Sequence, residues 1–331
     1  MPQLAPIAAL QADLAPEIAR LPRLSLVVDR FLRDAARDTA RAADFAAALD
    51  LDPPLRDWVL RQVNSGYYGL SRPVADVAHA CVVLGLGPLT RLVYAACTRD
   101  LLGRRLACYR YPGHGFWLHG MAVGLAAADL AGRAPGAGLR PAEALVAGLL
   151  HDTGKLLLDD HLPRAGGPRH VTVDEERQVA GRDHAAWSAA IARAWDLPDV
   201  VVRAVAGHHL PQPAPAACVI GVADHLARHW GLGVWTYARL DLEPPVRDLE
   251  ALAAPLGLGG GDLADWAGGL VAVLTGVEEL VRTIGHGAPP RAVDASPRAG
   301  DPSATAPAST SSRRRRHGRE TRERGRRRTR R

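Results

Sequence analysis

The chain has 331 residues, of which 47% are hydrophobic and 23% are charged, a composition that excludes fibrous and disordered proteins as a class. Its formal net charge of +6 is uneven: residues 286–331 hold 14 arginines against four acidic residues, whereas residues 1–285 carry 27 basic and 31 acidic residues. The net charge of the first 285 residues is therefore −4, and the basic character belongs to a tail. It does not indicate that the folded part binds nucleic acid.

The sequence predicts a cytoplasmic protein that makes no contact with a membrane. No apolar run reaches the ~18 residues that a membrane helix needs. Asp13 and Glu17 interrupt the apolar N-terminal stretch, which also lacks the basic start of a secretory signal. The four cysteines are widely spaced without a CxxC pair, and we expect buried, reduced thiols.

Helical spacing of apolar residues recurs along the chain, and few stretches alternate with period two. The first group of predicted helices covers residues 24–40, 42–49, 54–64, 74–84 and 87–102. The second group covers residues 116–131, 141–150, 183–194, 198–208 and 218–230. Residues 251–284 are predicted to add one or two helices after a glycine-rich turn at residues 257–261. The pattern predicts an all-α fold with two packed helical halves.

The predicted helices and the change in composition near residue 286 divide the chain into five segments. They are an N-terminal helical lead-in (1–20), a first helical half (21–110), a second helical half (111–231), a C-terminal helical extension (232–285) and an arginine-rich tail (286–331). The tail has no apolar face that could offset the entropy of ordering, so it is predicted to be disordered. Its arginine runs would bind polyanions weakly through counterion release, or they are a solvated extension without a partner.

Histidines and aspartates mark the second helical half. His151-Asp152 follows the apolar run 144–150, and an imidazole next to a carboxylate can serve one metal centre. Asp224 lies in the apolar stretch VIGVADHLA, where an unpaired carboxylate would be costly. Five predicted helices each carry such a residue near an apolar face, and the residues are His119, His151, Asp152, His184, His208, His209 and Asp224.

Each of these residues also has an ordinary structural interpretation. Asp183 would cap the helix that begins near His184. Asp224 would form an ion pair with Arg228 one turn later. The two adjacent histidines would suit the C-terminal dipole of a helix. The residues alone leave both interpretations open.

The order H…HD…H…HH…D resembles the HD superfamily of metal-dependent phosphohydrolases. The first half narrows the resemblance to the HDOD domain, the HD-related output domain of bacterial signalling proteins, through LPRLSLVVDRFLR, DPPLRDWVLRQVNSGYYGL and VLGLGPLTRLVYAA. The motifs FWLHGMAVG, GLLHDTGKLLL, DHAAWSAAIARAWDLP and HHLP…VADHLA continue the match in order. The resemblance covers roughly residues 21–231.

The resemblance implies a site for one or two divalent transition metals, with Asp152 as the bridging carboxylate. The implied ligands are His119, His151, Asp152, His184, His208, His209 and Asp224. Clustered imidazoles favour Fe, Mn, Zn or Ni over Mg or Ca. Lys155 is the only lysine in the chain and matches a lysine that contacts substrate phosphate in HD-type phosphodiesterases, so Lys155 and Asp152 are the implied catalytic residues.

Two functions remain open at this stage. In the first, the chain is an HDOD-type signalling module with a structural or vestigial metal site, and the N-terminal helices with the NSGYYGL loop contact a protein partner. Tyr67 and Tyr68 would either anchor that interface or pack between the two halves. In the second, the chain is a metal-dependent phosphohydrolase or phosphodiesterase that acts on a nucleotide. Hydrolysis of cyclic-di-GMP is disfavoured, because HHLPQPAP stands where the Gly-Tyr-Pro signature of those enzymes would follow the paired histidines.

Overall fold

A computed structural model of the chain describes residues 14–34, 42–65, 68–111, 113–163, 171–210, 212–233 and 246–286. The helices of the first half are α1 (Ala15–Ile18), α2 (Leu26–Asp34), α3 (Ala42–Leu49), α4 (Pro53–Val63), α5 (Val77–Leu84) and α6 (Leu86–Leu102). Those of the second half are α7 (Gly115–Arg133), α8 (Pro141–Leu150), α9 (Lys155–Leu158), α10 (Val173–Ala180), α11 (His184–Ala194), α12 (Asp199–Gly207) and α13 (Pro215–His229). The C-terminal extension contains α14 (Val246–Ala253) and α15 (Gly260–His286).

These described residues contain no β-strand, and the predicted all-α fold is confirmed. Each predicted helix is present, and α9 and α10 are additional helices that the periodicity did not predict. Residues 35–41 of the predicted helix 24–40 lie outside the described residues, as does the predicted disordered tail beyond residue 286. The described residues belong to one compact unit, so the division into five segments stays a prediction.

Aspartate side chains begin several of the helices. Asp52 accepts a hydrogen bond from the Leu55 backbone N–H (3.0 Å), ahead of the prolines that open α4. Asp76 does the same for His79 at the start of α5 (2.7 Å). These bonds satisfy backbone donors that have no partner within the helix.

The cap at Asp76 gives a stability prediction. Asp76→Ala leaves the His79 N–H without its acceptor, and we expect the free energy of unfolding to fall by about 1 kcal/mol. Asp76→Asn keeps a capping oxygen, and its free energy of unfolding should lie within a few tenths of a kcal/mol of the wild-type value. Urea denaturation followed by circular dichroism measures both variants, and equal stabilities for the alanine and asparagine variants would contradict the assignment of the cap.

The loop that contains NSGYYGL is closed by its asparagine. The Asn64 side chain donates to the Val74 carbonyl (2.9 Å) and accepts from the Val74 N–H (2.7 Å), so it joins the two ends of the loop. Tyr68 is partly buried against the hydrophobic core, and Tyr67 lies outside the described residues. The role of this loop in binding a partner therefore stays a prediction.

Helix α7 is the central element of the second half, where it packs against α8, α13 and α15, and it also contacts α6. The contact between α7 and α8 is close because two glycines face each other: a Cβ on Gly148 would lie 2.6 Å from the Gly124 Cα. The close approach of the two helix backbones lets the carboxyl end of α8 lie beside the middle of α7. His151 and His119 are consequently neighbours, with ring centroids 5.2 Å apart.

The described structure also bears on two expectations about the environment of the chain. Cys81, Cys97, Cys108 and Cys218 are buried and none of them forms a disulfide within the described residues, as the spacing predicted. Within the ranges given above, no helix is both long and apolar enough to span a bilayer.

Candidate metal centre

The seven side chains singled out in the sequence converge at one place in the second half. They form three overlapping groups, in each of which the nitrogen and oxygen atoms that could bind a metal lie within 4.8 Å of one another. The groups are Asp152 with His184, His208 and His209; His119 with His151 and Asp152; and His151 with His208 and Asp224. Helices α7, α11 and α13 and the turns after α8 and α12 supply these residues.

Asp152 lies between two sets of imidazoles. Its Oδ1 is 3.2 Å from the Nε2 of His184. Its Oδ2 is 3.6 Å from the Nε2 of His151 and 3.7 Å from the Nε2 of His119. The carboxylate thus presents one oxygen to each set, which is the placement that a bridging ligand requires.

Local hydrogen bonds fix the turn that carries the HD pair. The Thr153 hydroxyl donates to the Leu150 carbonyl (2.8 Å), which ends α8, and the Gly154 N–H donates to the Ser188 hydroxyl on α11 (2.7 Å). A Cβ on Gly154 would overlap the His184 carbonyl. A glycine at this position therefore allows the HD turn to lie directly against the start of α11.

Hydrogen bonds at Nδ1 orient three of the rings. The Nδ1 of His151 bonds to the Gly148 carbonyl (2.7 Å), and the Nδ1 of His208 bonds to the Val205 carbonyl (2.6 Å). The Nδ1 of His119 is 3.3 Å from the Leu232 carbonyl. A carbonyl only accepts, so each Nδ1 carries the proton in the neutral ring and each Nε2 keeps a lone pair.

The three Nε2 atoms of these rings are buried and have no hydrogen-bond partner among the described residues. A buried nitrogen lone pair without a partner is costly, and a cation bound to the lone pair would remove that cost. Three such nitrogens beside two carboxylates form a donor set suited to a divalent transition metal. The residues present therefore fit the metal that the sequence resemblance implies.

The two carboxylates of the centre are ionised, as a bound cation requires. Burial opposes ionisation of Asp152, but the neighbouring His151 and Lys155 outweigh burial and hold the pKa of this carboxyl well below its usual range. At His151, burial is outweighed by Asp152 and Asp224, which raise the pKa of its imidazole, so a cation that binds there displaces a proton. For Asp224, burial is likewise outweighed by Arg228, and the pKa of its carboxyl is also well below the usual range. Burial lowers the pKa of His208, and burial with the neighbouring His184 lowers the pKa of His209 to about 4.

The structural alternatives and the ligand geometry coexist. The Asp183 side chain accepts from the Ala186 N–H (2.9 Å) and caps α11, while His184 still lies in the cluster. Asp224 Oδ2 pairs with Arg228 (2.7 Å), while its Oδ1 faces the His119 Nε2 at 3.2 Å. Asp183 and Asp224 therefore both have the predicted local partner, while His184 and Asp224 remain in the cluster.

Lys155 begins α9 and contacts the carboxylate of Asp152. Its Nζ is 2.5 Å from Asp152 Oδ2 and donates to the Tyr111 hydroxyl at 3.1 Å. The side chain is 15% exposed, so the ammonium group is mostly enclosed. Its contact with a substrate phosphate stays a prediction.

Sequence reasoning missed Glu176 and Tyr111, which contact residues of the cluster, and Tyr109, which contacts Glu176. Glu176 on α10 accepts from the Nδ1 of His184 (2.6 Å), while Tyr109 and Tyr111 donate to Glu176 and Asp152 respectively. The Thr172-x-x-Glu175 pattern, a capping box in the structure, would have located α10 in the sequence. It would not have distinguished the buried Glu176 from the neighbouring Asp174, which is exposed, and Glu175, which is partly exposed.

An all-helical chain that gathers an HD pair and further histidines in one cluster belongs to the class of HD-related domains. The HDOD domain family matches residues 21–211, more than half of the sequence, and the chain is a member of this family. An uncharacterised protein of Treponema pallidum (strain Nichols) is 27% identical over 224 residues, which are 64% of this chain and 42% of that protein. The chain therefore spans less than half the length of this relative.

Solved structures share the fold. An HDOD domain protein of unknown function from Geobacter sulfurreducens has a TM-score of 0.57 at 21% identity, over 81% of this chain and 97% of its own. A candidate phosphohydrolase from Shewanella amazonensis SB2B also has a TM-score of 0.57, at 22% identity, over 82% of this chain and 99% of its own. A candidate signal transduction protein from Marinobacter aquaeolei VT8 gives 0.57 at 20% identity, over 83% of this chain and 62% of its own. At these identities the likeness concerns the fold alone.

Proposed function

We propose that the chain is a regulatory HDOD module that holds divalent transition metal and passes its signal to a protein partner. The observation that carries the proposal is the set of three buried Nε2 atoms without hydrogen-bond partners, directed at two carboxylates. His184, His208, His209 and Asp152 would hold one ion. His119, His151 and Asp224 would hold a second together with Asp152.

Burial supports a regulatory role more than turnover of a large substrate. Six of the seven ligand residues are buried, and only His209 is partly exposed. A metal in such a place exchanges slowly and stabilises the packing of α7, α8, α11, α12 and α13 around it, since binding to the folded state alone adds to stability. Occupancy would thereby be reported to the surface of the domain.

A phosphohydrolase acting on a nucleotide is the second candidate, and the placement of two basic side chains beside the cluster favours it. Lys155 and Arg228 each pair with one of the two aspartates, and the Arg228 side chain is 48% exposed. A bound divalent metal would supply Lewis acidity toward a phosphoryl oxygen. The half-exposed Arg228 would bind the anionic substrate at the rim, and the mostly enclosed Lys155 would orient it next to Asp152.

Metal content and nucleotide hydrolysis, measured on one preparation, separate these candidates. The full chain is loaded with Mn²⁺, Fe²⁺ or Zn²⁺, desalted and analysed by mass spectrometry, then incubated with nucleoside monophosphates, cyclic nucleotides and cyclic dinucleotides. Phosphate release reports hydrolysis of the monophosphates, and chromatography of the linear products reports hydrolysis of the cyclic substrates, which release no phosphate when the ring opens. The regulatory proposal expects retained metal and no hydrolysis above that of Asp152→Asn. Turnover that Asp152→Asn abolishes would establish the enzyme instead, and a chain that retains no metal would contradict both.

A further inference from the structure

The segment between α6 and α7 reaches the candidate centre and is anchored by one carboxylate. Asp159, which follows α9, is buried and accepts hydrogen bonds from two consecutive backbone N–H groups, those of Ala107 (2.8 Å) and Cys108 (2.7 Å). Two tyrosines follow in the chain, Tyr109 and Tyr111, and both are buried. Asp159 thereby ties the backbone just before these tyrosines to the helix that carries Lys155.

Tyr111 bonds to the carboxylate at the middle of the cluster. Its hydroxyl donates to Asp152 Oδ2 (2.8 Å) and accepts from Lys155 (3.1 Å). A carboxylate oxygen only accepts, so the phenol hydroxyl supplies the proton of its bond to Asp152. Asp152 is a member of two of the three candidate metal-binding groups, the one with His184, His208 and His209 and the one with His119 and His151.

Tyr109 bonds to a different carboxylate. Its hydroxyl donates to Glu176 Oε1 (2.9 Å), and Glu176 Oε2 accepts from both the Nδ1 (2.6 Å) and the backbone N–H (2.8 Å) of His184. Glu176 is 1% exposed. This bond fixes the His184 ring with its Nε2 directed at Asp152, at 3.2 Å from Oδ1.

We propose that Tyr109 and Tyr111 are positioning residues of the metal centre, each acting through a different carboxylate: Tyr111 orients Asp152, and Tyr109 orients His184 through Glu176. The inference rests on the proposed metal binding. Outer hydrogen bonds of this kind hold a ligand at the angle that the metal requires, and their loss costs about 10–100-fold in metal affinity. Neither tyrosine is assigned a role by the sequence resemblance.

The two bonds differ in how much of the centre they support. His184 belongs to one metal-binding group only, together with His208 and His209, whereas Asp152 is common to that group and to the group of His119 and His151. Loss of the Tyr109 hydroxyl should therefore weaken the binding of one metal ion. Loss of the Tyr111 hydroxyl should weaken the binding of both ions.

Tyrosine-to-phenylalanine variants test this inference, because phenylalanine keeps the packed ring and removes the hydroxyl alone. Wild type, Tyr109→Phe and Tyr111→Phe are stripped with chelator and titrated with Co²⁺, following the d–d absorption spectrum and the heat of binding. Tyr94→Phe is the matched control, since Tyr94 is also buried but lies on α6 with its ring against Phe31. The unfolding temperature of each metal-free variant shows whether it is folded.

We expect Tyr111→Phe to lower the affinity for both Co²⁺ ions by about 10–100-fold and to alter the d–d spectrum. Tyr109→Phe should weaken one ion, and Tyr94→Phe should behave as the wild type. If the wild type binds two ions and all three variants bind like it, the positioning roles are wrong while the metal site stands. A wild type that binds no Co²⁺ overturns the metal site and the positioning roles together.

If Tyr109→Phe loses stability without metal, Glu176→Gln tests the same connection. Glutamine keeps an oxygen for the His184 ring but removes the negative charge that Tyr109 and His184 share. Glu176→Gln should again lower the affinity for one metal ion and leave the affinity for the other unchanged. Equal affinities in this variant and the wild type would contradict the path through Glu176.

Discussion

Asp152→Asn should lower the affinity for both metal ions by more than about 100-fold, beyond the usual cost of an outer hydrogen bond. The amide has nearly the volume of the carboxylate and still offers an oxygen to Tyr111 and Lys155. It lacks the anionic charge and has only one oxygen. The carboxylate of Asp152, in contrast, directs one oxygen at His184 and the other at His151. Calorimetric titration of the chelator-stripped chain with Mn²⁺ or Zn²⁺ measures the effect.

Asp129→Asn is the matched control for this variant. Asp129 lies on α7 like His119, but its side chain is 47% exposed and pairs with Arg133 one turn later. We expect unchanged metal affinity and a change in stability of no more than about 0.5 kcal/mol. If Asp152→Asn binds both ions as tightly as this control, the bridging role of Asp152 is wrong.

Gly148→Ala should destabilise the fold by about 1–3 kcal/mol and weaken metal binding as well. The added methyl group would meet the Gly124 Cα at 2.6 Å and the Val123 carbonyl oxygen at 2.8 Å, which are backbone atoms that move only if the helices move apart. Separating α7 from α8 moves His119 away from His151. Denaturant unfolding without metal and a metal titration read out the two effects separately.

Gly268→Ala shows what the same substitution does where there is room. Gly268 lies within α15, and a Cβ there would meet nothing within 4 Å. Alanine should therefore stabilise this helix by about 0.5–1 kcal/mol, with no effect on metal binding. A Gly148→Ala variant as stable as the wild type would show that the close α7–α8 contact does not hold the centre together.

The helices and the clustering of the seven proposed ligands could both be predicted, the helices from local apolar spacing and the set of seven residues from the resemblance to the HDOD motifs. Apolar spacing marks the faces of α7, α8 and α11 to α13, and the chemistry-bearing side chains lie next to those faces. The competing explanations for Asp224 and His184 could not be resolved in the sequence. They turned out to be compatible, because a carboxylate has two oxygens and Asp224 uses one for Arg228 and directs the other at His119.

The outer hydrogen bonds could not be predicted because they join residues far apart in the chain. Glu176 lies among charged neighbours in VDEERQ, which reads as an exposed helix face, and only the tertiary contact with His184 makes it buried. Tyr111 and Asp152 are 41 residues apart, and the segment that carries the tyrosines is neither helical nor strand-like. No local pattern indicates which turn such a segment faces.

The most direct test of the metal centre is an anomalous difference map from crystals of the full chain loaded with Mn²⁺ or Zn²⁺. The proposed centre predicts two peaks on either side of Asp152, one within bonding distance of His184, His208 and His209 and the other near His119, His151 and Asp224. Crystals of loaded protein that show no anomalous peak at these residues would contradict it.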